Sequence, residues 1–215
     1  MNWNDLTYLK KGNQRQRQAY TALHSLGLFD RLAGYSPFLA GTIPLEIDVY
    51  TSDLDILCQT DDLPGFAAEV TRLFGSRRGF QIQTRQIRGI ATVLARFEHA
   101  GFPIEIFAQS VAVERQNGYR HMLIEHRLLA LGGEELREDI HRLKQDGLGT
   151  EPAFAAYLGL TSDPYQAILD LEGWDEPALT DLVERAIRAH RPDEQPDSGA
   201  GAEGSPGDAP VGGVH

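Results

Sequence analysis

Residues 40–57, AGTIPLEIDVYTSDLDIL, decide how the rest of the chain is read. An apolar run ends in Gly41-Thr42, a polar turn follows, and the stretch closes on Ser52-Asp53-Leu54-Asp55-Ile56-Leu57. Side chains alternate along a strand, so Asp53 and Asp55 point to one face while Leu54 and Ile56 point into a core. Two carboxylates held side by side repel unless a cation lies between them. The stretch reads as a core strand carrying a candidate cation site.

On the N-terminal side, apolar spacing predicts a helix over 13–33 that Gly34 and Pro37 close, then a short buried strand over 37–40. Between the two halves of the motif, 43–52 reads as a loop or irregular segment broken by Pro44. On the C-terminal side, a strand over 53–59 leads to a helix capped by Asp61 or Asp62, with Pro64 in its first turn, ending near Phe74. Three strand-like runs follow at 80–86, 90–98 and 102–108. Arg88-Gly89 and His99-Ala100-Gly101 are hairpin-length connections between them. From 114 onward the period becomes helical, with helices expected over 114–131, 134–145, 151–158, 164–171 and 176–188. Strand-like runs thus fill the first half of the chain and helical periods the second. The expected division is an α/β core over 1–113, a helical region over 114–190, and an acidic Gly/Pro-rich disordered tail over 191–215.

The net charge of −11 is unevenly placed, because Asp193, Glu194, Asp197, Glu203 and Asp208 stand in 192–215, a stretch without Lys or Arg. The remaining body is moderately acidic. Broad binding of nucleic acid, which needs clustered basic residues to displace counterions, is not expected. A single cysteine, Cys58, rules out an intrachain disulfide and fits a reducing compartment. The opening MNWNDLTYLKKG has no apolar stretch suited to a signal peptide, and no run approaches the ~18–20 apolar residues of a membrane span. A cytoplasmic protein is expected.

A third acid tests the opening motif. In Phe102-Pro103-Ile104-Glu105-Ile106-Phe107, the residues Phe102, Ile104 and Ile106 share one face and Glu105 lies on the other. A lone Glu in an apolar strand is costly unless it is paired or bound to a cation. If its strand lies beside 53–59, Glu105 completes a three-carboxylate cluster with Asp53 and Asp55. Such a hard oxygen set suits Mg²⁺, with substrate phosphates completing the coordination shell.

Gly41-Thr42, a ten-residue gap, Asp53-Leu54-Asp55-Ile56 and the later Glu105 resemble the polymerase-β-like nucleotidyltransferase superfamily over about residues 38–108. A wider set extends the likeness to about residues 2–171. It comprises Asn2-Trp3, Tyr8-Leu9-Lys10, Gly41-Thr42-Ile43-Pro44, Ser52-Asp53-Leu54-Asp55, Glu105 through Ser110, Tyr119-Arg120-His121 and Thr150 through Phe154. That set is similar to an uncharacterised bacterial family within the superfamily. The resemblance implies an α+β fold, a nucleotidyltransferase-like mixed β-sheet with helices on one face followed by a C-terminal helical segment. It implies an Mg²⁺-dependent nucleotidyltransferase that moves a nucleoside monophosphate from an NTP to a hydroxyl acceptor the sequence does not name. It implies metal ligation and catalysis by Asp53, Asp55 and Glu105, and nucleotide binding by Gly41, Thr42, Ser52, Arg120 and His121. Thr42 departs from the commoner Ser or Gly of the motif, keeping the hydroxyl and adding a methyl. A non-catalytic nucleotide binder or a protein-interaction module retaining the fold stays open, as does the oligomeric state.

Other residues have plainer readings beside functional ones. Arg120 either meets a phosphate or pairs with Glu114 or Glu125 on its helix. His121 either contacts substrate or is a partly buried interface residue. Glu46 and Asp48 read as turn or surface residues, and Arg77, Arg78, Arg85 and Arg88 as a local basic region that either contacts an anionic acceptor or is solvated surface. Trp3 and Trp174 read as packing residues. Zinc is not expected, since Met122 stands where an inverted zinc-protease motif needs His and Cys58 has no partner ligand nearby. P-loop, dinucleotide-fold and serine-hydrolase motifs are absent from the sequence.

Overall fold

In the computed structural model, which describes residues 2–191, five strands form one mixed sheet. They are β1 (Phe38–Ala40), β2 (Leu54–Gln59), β3 (Gln81–Ile87), β4 (Ile90–His99) and β5 (Phe102–Gln109), in the order β1-β2-β5-β4-β3. The pairing is antiparallel except between β2 and β5, which run parallel with Asp55 opposite Glu105. The expected α+β architecture, a mixed sheet followed by a helical segment, is what the chain adopts. Both hairpin turns place two central residues at positive φ: Arg88 and Gly89 at 51° and 81°, Ala100 and Gly101 at 50° and 83°. That twist matches the strands it joins, so β3, β4 and β5 form a continuous meander.

The helices are α1 (Thr7–Lys11), α2 (Gln14–Leu26), α3 (Leu28–Arg31), α4 (Thr42–Leu45), α5 (Leu63–Phe74), α6 (Asn117–Gln145), α7 (Thr150–Leu158), α8 (Pro164–Asp170) and α9 (Glu176–His190). The single helix expected over 13–33 is divided at Gly27, whose φ of 58° and ψ of 31° end α2 in a left-handed cap. Only glycine takes that conformation without steric cost, and apolar periodicity does not register it. Within α5, Phe66, Val70 and Phe74 recur every four residues as one buried stripe. Asp62 caps this helix by accepting from the Gly65 N–H at 2.9 Å, with Pro64 in the first turn. At the break expected at Gly132-Gly133, Gly133 leaves helical geometry with φ 61° and ψ −149°, which kinks α6 into two helical stretches. No helix among the described residues is long and apolar enough to cross a membrane.

Two apolar clusters flank the sheet. On one face Leu54, Ile56, Ile104 and Ile106 pack with Ala22 and Leu26 of α2 and with the α5 stripe. On the other, Phe38, Ala40 and Leu57 join Leu128, Leu136, Phe154 and Leu179 from the C-terminal helices. The C-terminal helices thus lean over the β1–β2 end of the face that carries the acids, leaving a cavity beneath them. Arg191, at the start of the expected tail, pairs with Glu135 at 2.8 Å. The rest of that tail, 192–215, lies outside the described residues.

Candidate active site

The segment between β1 and β2 is more ordered than an irregular loop. Thr42–Leu45 forms α4, and neighbouring helices grip the backbone that follows. Gln16, which completes the capping box of α2 with Asn13, donates from Nε2 to the Ile43 carbonyl at 3.0 Å. From α6, Arg137 donates to the Leu45 carbonyl and His141 Nε2 meets the Asp48 carbonyl at 2.9 Å. Asp48 is no surface residue. Its side chain is 12% exposed, lies 3.8 Å from Arg15, and is held above the usual carboxylate range by burial. Glu46 fits its expectation as an exposed turn residue, at a φ of 60°.

This anchoring fixes Gly41 against the acidic strand. Gly41 has φ 84° and ψ −159°, a region closed to other residues, and a Cβ there would overlap Asp55 Oδ2. Beside it the Thr42 hydroxyl donates to Ser52 Oγ at 3.2 Å, while Ser52 Oγ also accepts from the Val49 N–H at 2.9 Å. One oxygen from each of Asp53, Asp55 and Glu105 lies within 4.8 Å of the other two. The parallel register of β2 and β5 produces this meeting, because it puts Glu105 opposite Asp55.

The electrostatics of the trio follow from crowding. Burial, then the charges of Asp53, Glu105 and Glu151, push Asp55 well above the ordinary carboxylate range, with Lys144 opposing. Glu105 is raised by burial and by Asp53, against the pull of Arg96. Arg96, its cross-strand partner on β4, reaches Glu105 Oε1 at 2.5 Å. Oxygen donors this close, all three partly buried, fit a hard divalent cation such as Mg²⁺.

Gly41, Thr42, Ser52, Asp53, Asp55 and His121 all line one cavity of about 550 Å³. Glu105 joins the acids but is not among its lining residues, and Arg120 is outside it. On a helix successive side chains diverge by about 100°. His121 therefore turns inward while Arg120 turns to Glu172, which it meets at 2.5 Å and not at the expected Glu114 or Glu125. His121 is 6% exposed, with Nδ1 3.0 Å from Glu151 Oε1 and Nε2 2.9 Å from the Tyr165 carbonyl. Of the arginines read as surface, Arg88 stands at the cavity mouth. It reaches Asp163 at 3.9 Å and lies over the Tyr165 ring at 5.6 Å, so the β3–β4 turn meets the start of α8. Trp3 packs edge-to-face on Tyr8 and His126, whereas Trp174 is 41% exposed.

Sequence reasoning missed the wall opposite the acids. Glu125 and Lys144 of α6 and Glu151 of α7 all line the cavity, and Glu125 and Lys144 are only 3% and 7% exposed. Lys144 Nζ donates to Thr150 Oγ1 at 2.8 Å and is lowered by burial, with Glu125 and Glu151 resisting that shift. Burial would raise Glu151, but the hydrogen bond and charge of His121 outweigh it and hold this carboxyl low. Glu125 is pushed up to about 8 by burial and by Glu151. Its position was detectable, since it follows His121 by four residues on the same helical face. Lys144 had no such signal, because α6 and α7 bring it there by packing.

The fold and these side chains define an α+β protein with a cavity into which charged groups converge and a three-carboxylate cluster at its edge. Residues 21–171 match the family described as Domain of unknown function (DUF4269), and the chain belongs to that family. A comparison with curated proteins gave no match. Similar solved structures include the Cid1 poly(U) polymerase with MgGTP bound, at 13% identity and a TM-score of 0.49, covering 76% of this chain and 53% of that one. The polymerase core of TRAMP, an RNA surveillance complex, is 12% identical with a TM-score of 0.48, covering 84% and 60%. The chain spans about half the length of the Cid1 polymerase it matches.

Proposed function

We propose that this protein is an Mg²⁺-dependent nucleotidyltransferase that moves a nucleoside monophosphate from an NTP to a hydroxyl acceptor. The observation that carries this reading is the meeting of Asp53, Asp55 and Glu105 within 4.8 Å at the edge of a cavity of about 550 Å³. Asp53, Asp55 and Glu105 would hold the cation, which when bound neutralises phosphate charge. Gly41 leaves room for a triphosphate to approach the backbone, and Thr42 and Ser52 offer hydroxyls on that side. Lys144, whose charge is felt by Asp53 and Asp55, adds the positive charge that the polyanion needs. In the transfer, the acceptor oxygen bonds to the α-phosphorus as the bond from that phosphorus to pyrophosphate breaks. Glu105, its carboxyl raised by burial, is the base assigned to the hydroxyl proton.

A second reading, nucleotide binding without transfer, is favoured by one observation. Arg96 already pairs with Glu105, the residue assigned as base. One experiment separates the two. Binding of each Mg-NTP is measured for the wild type and for Asp53→Asn/Asp55→Asn, and pyrophosphate release is then followed with pooled small-molecule and RNA acceptors. Loss of binding in the variant supports the site, and pyrophosphate release supports transfer. Unchanged nucleotide binding in the double variant would count decisively against the acidic trio as the site.

A further inference from the structure

The buried wall opposite the acids raises a question that nucleotide transfer leaves open. Each of its polar groups has a partner except one. Glu151 is met by His121 Nδ1 at 3.0 Å, and Lys144 donates to Thr150 at 2.8 Å. The Glu125 carboxylate is 3% exposed and faces the cavity, with no hydrogen bond and no ion pair within 4.0 Å among the described residues. The Lys144 charge partly compensates it, but Lys144 also answers to Glu151, Asp48 and Asp53. A buried carboxylate without a partner is costly, and the cost is tolerated where a ligand supplies the missing charge.

We infer that Glu125, with Glu151 beside it, forms a subsite for a protonated amine, so that the acceptor is an amine-bearing alcohol. The acceptor role rests on the transfer reading, but the amine subsite stands on its own geometry. Two carboxylates on adjoining helices line the same cavity as Asp53 and Asp55. An alcohol whose ammonium sits on the helical wall can extend its hydroxyl toward the opposite, acid-bearing wall. A neutral hydroxyl compound can hydrogen-bond to Glu125 but brings no charge to balance it, which makes the wall selective as well as attractive. The high pKa of Glu125 agrees with this, because an arriving ammonium displaces the proton that the carboxyl otherwise keeps.

The test uses matched pairs on the full chain, without Mg²⁺ or nucleotide. Glucosamine is compared with glucose, and ethanolamine with ethylene glycol, by ligand-observed NMR titration. The wild type should bind each amine at least about tenfold more tightly than its neutral partner, the size expected of a charge-assisted hydrogen bond. In Glu125→Gln, a neutral group of the same shape, that preference should fall to about twofold or less. Equal binding of amines and neutral alcohols by the wild type overturns the subsite, as does an undiminished preference in the variant. The wild-type comparison decides even if the variant does not fold. Binding of each Mg-NTP is measured on the same wild-type sample. Amine preference without binding of any Mg-NTP upholds the subsite and refutes the transfer reading, while Mg-NTP binding without amine preference refutes the subsite and leaves the nucleotide site standing.

Discussion

Replacing Glu125 by glutamine should make the protein more heat-stable in alkaline solution and leave it nearly unchanged in acid. Burial and the Glu151 carboxylate push the folded-state carboxyl from 4.5 up to about 8. Below the lower value both folded and unfolded chains carry the proton, and the group costs nothing. As pH rises from there, the unfolded chain releases its proton while the folded chain keeps it, so stability falls. Above the folded value the full penalty has accrued. At ~1.4 kcal/mol per pH unit, the ceiling on that penalty is about 5 kcal/mol. Water entering from the cavity and the nearby Lys144 charge reduce it, and about 2 kcal/mol is the working expectation. Glutamine keeps the shape and removes the titration. For a chain of this size, that difference corresponds to a melting temperature higher by about 4–8 °C near pH 9, shrinking to about 1 °C near pH 5. Thermal unfolding of both proteins across this range is the assay. A wild-type-to-variant difference that stays constant with pH would refute the reasoning, because it would mean that Glu125 titrates alike in the folded and unfolded chains.

Other substitutions probe the supports of the site. Gly41→Ala forces a side chain into a glycine-only conformation and against Asp55 Oδ2, so it should cost about 1–3 kcal/mol and weaken Mg²⁺ binding. Calorimetric titration showing wild-type Mg²⁺ affinity would contradict the close approach. Gln116→Leu removes the donor that meets the Cys58 and Val111 carbonyls at 2.8 and 2.9 Å, tying the start of α6 to β2. It should lower stability by about 2 kcal/mol, read as a reduced urea midpoint. An unchanged midpoint would show that those carbonyls find other partners. Asp62→Ala deletes the cap of α5 and should cost about 1 kcal/mol by the same assay, with no effect on Mg²⁺ titration.

Local rules made much of the architecture legible in the sequence. Alternation placed Leu54 and Ile56 opposite Asp55, and Ile104 and Ile106 opposite Glu105. Turn chemistry marked both hairpins, and Asp62 with Pro64 marked the start of α5. Each of these signals is carried by residues within one strand or one helical turn, which is why the chain itself displays them. The break at Gly27 escaped because a left-handed cap leaves the apolar spacing on either side undisturbed.

The site divides along the same line. That Asp53 and Asp55 share a face follows from strand alternation alone. That Glu105 joins them depends on β2 and β5 being parallel neighbours, a pairing across about fifty residues that local patterns do not encode. The inward turn of His121 and outward turn of Arg120 depended on which side of α6 meets the sheet. Likewise, Glu125, Lys144 and Glu151 are ordinary charged helix residues until α6 and α7 pack over the β1–β2 end and exclude water from them. Burial converts those charges into chemistry, and burial is a property of the whole packed chain, not of any segment within it.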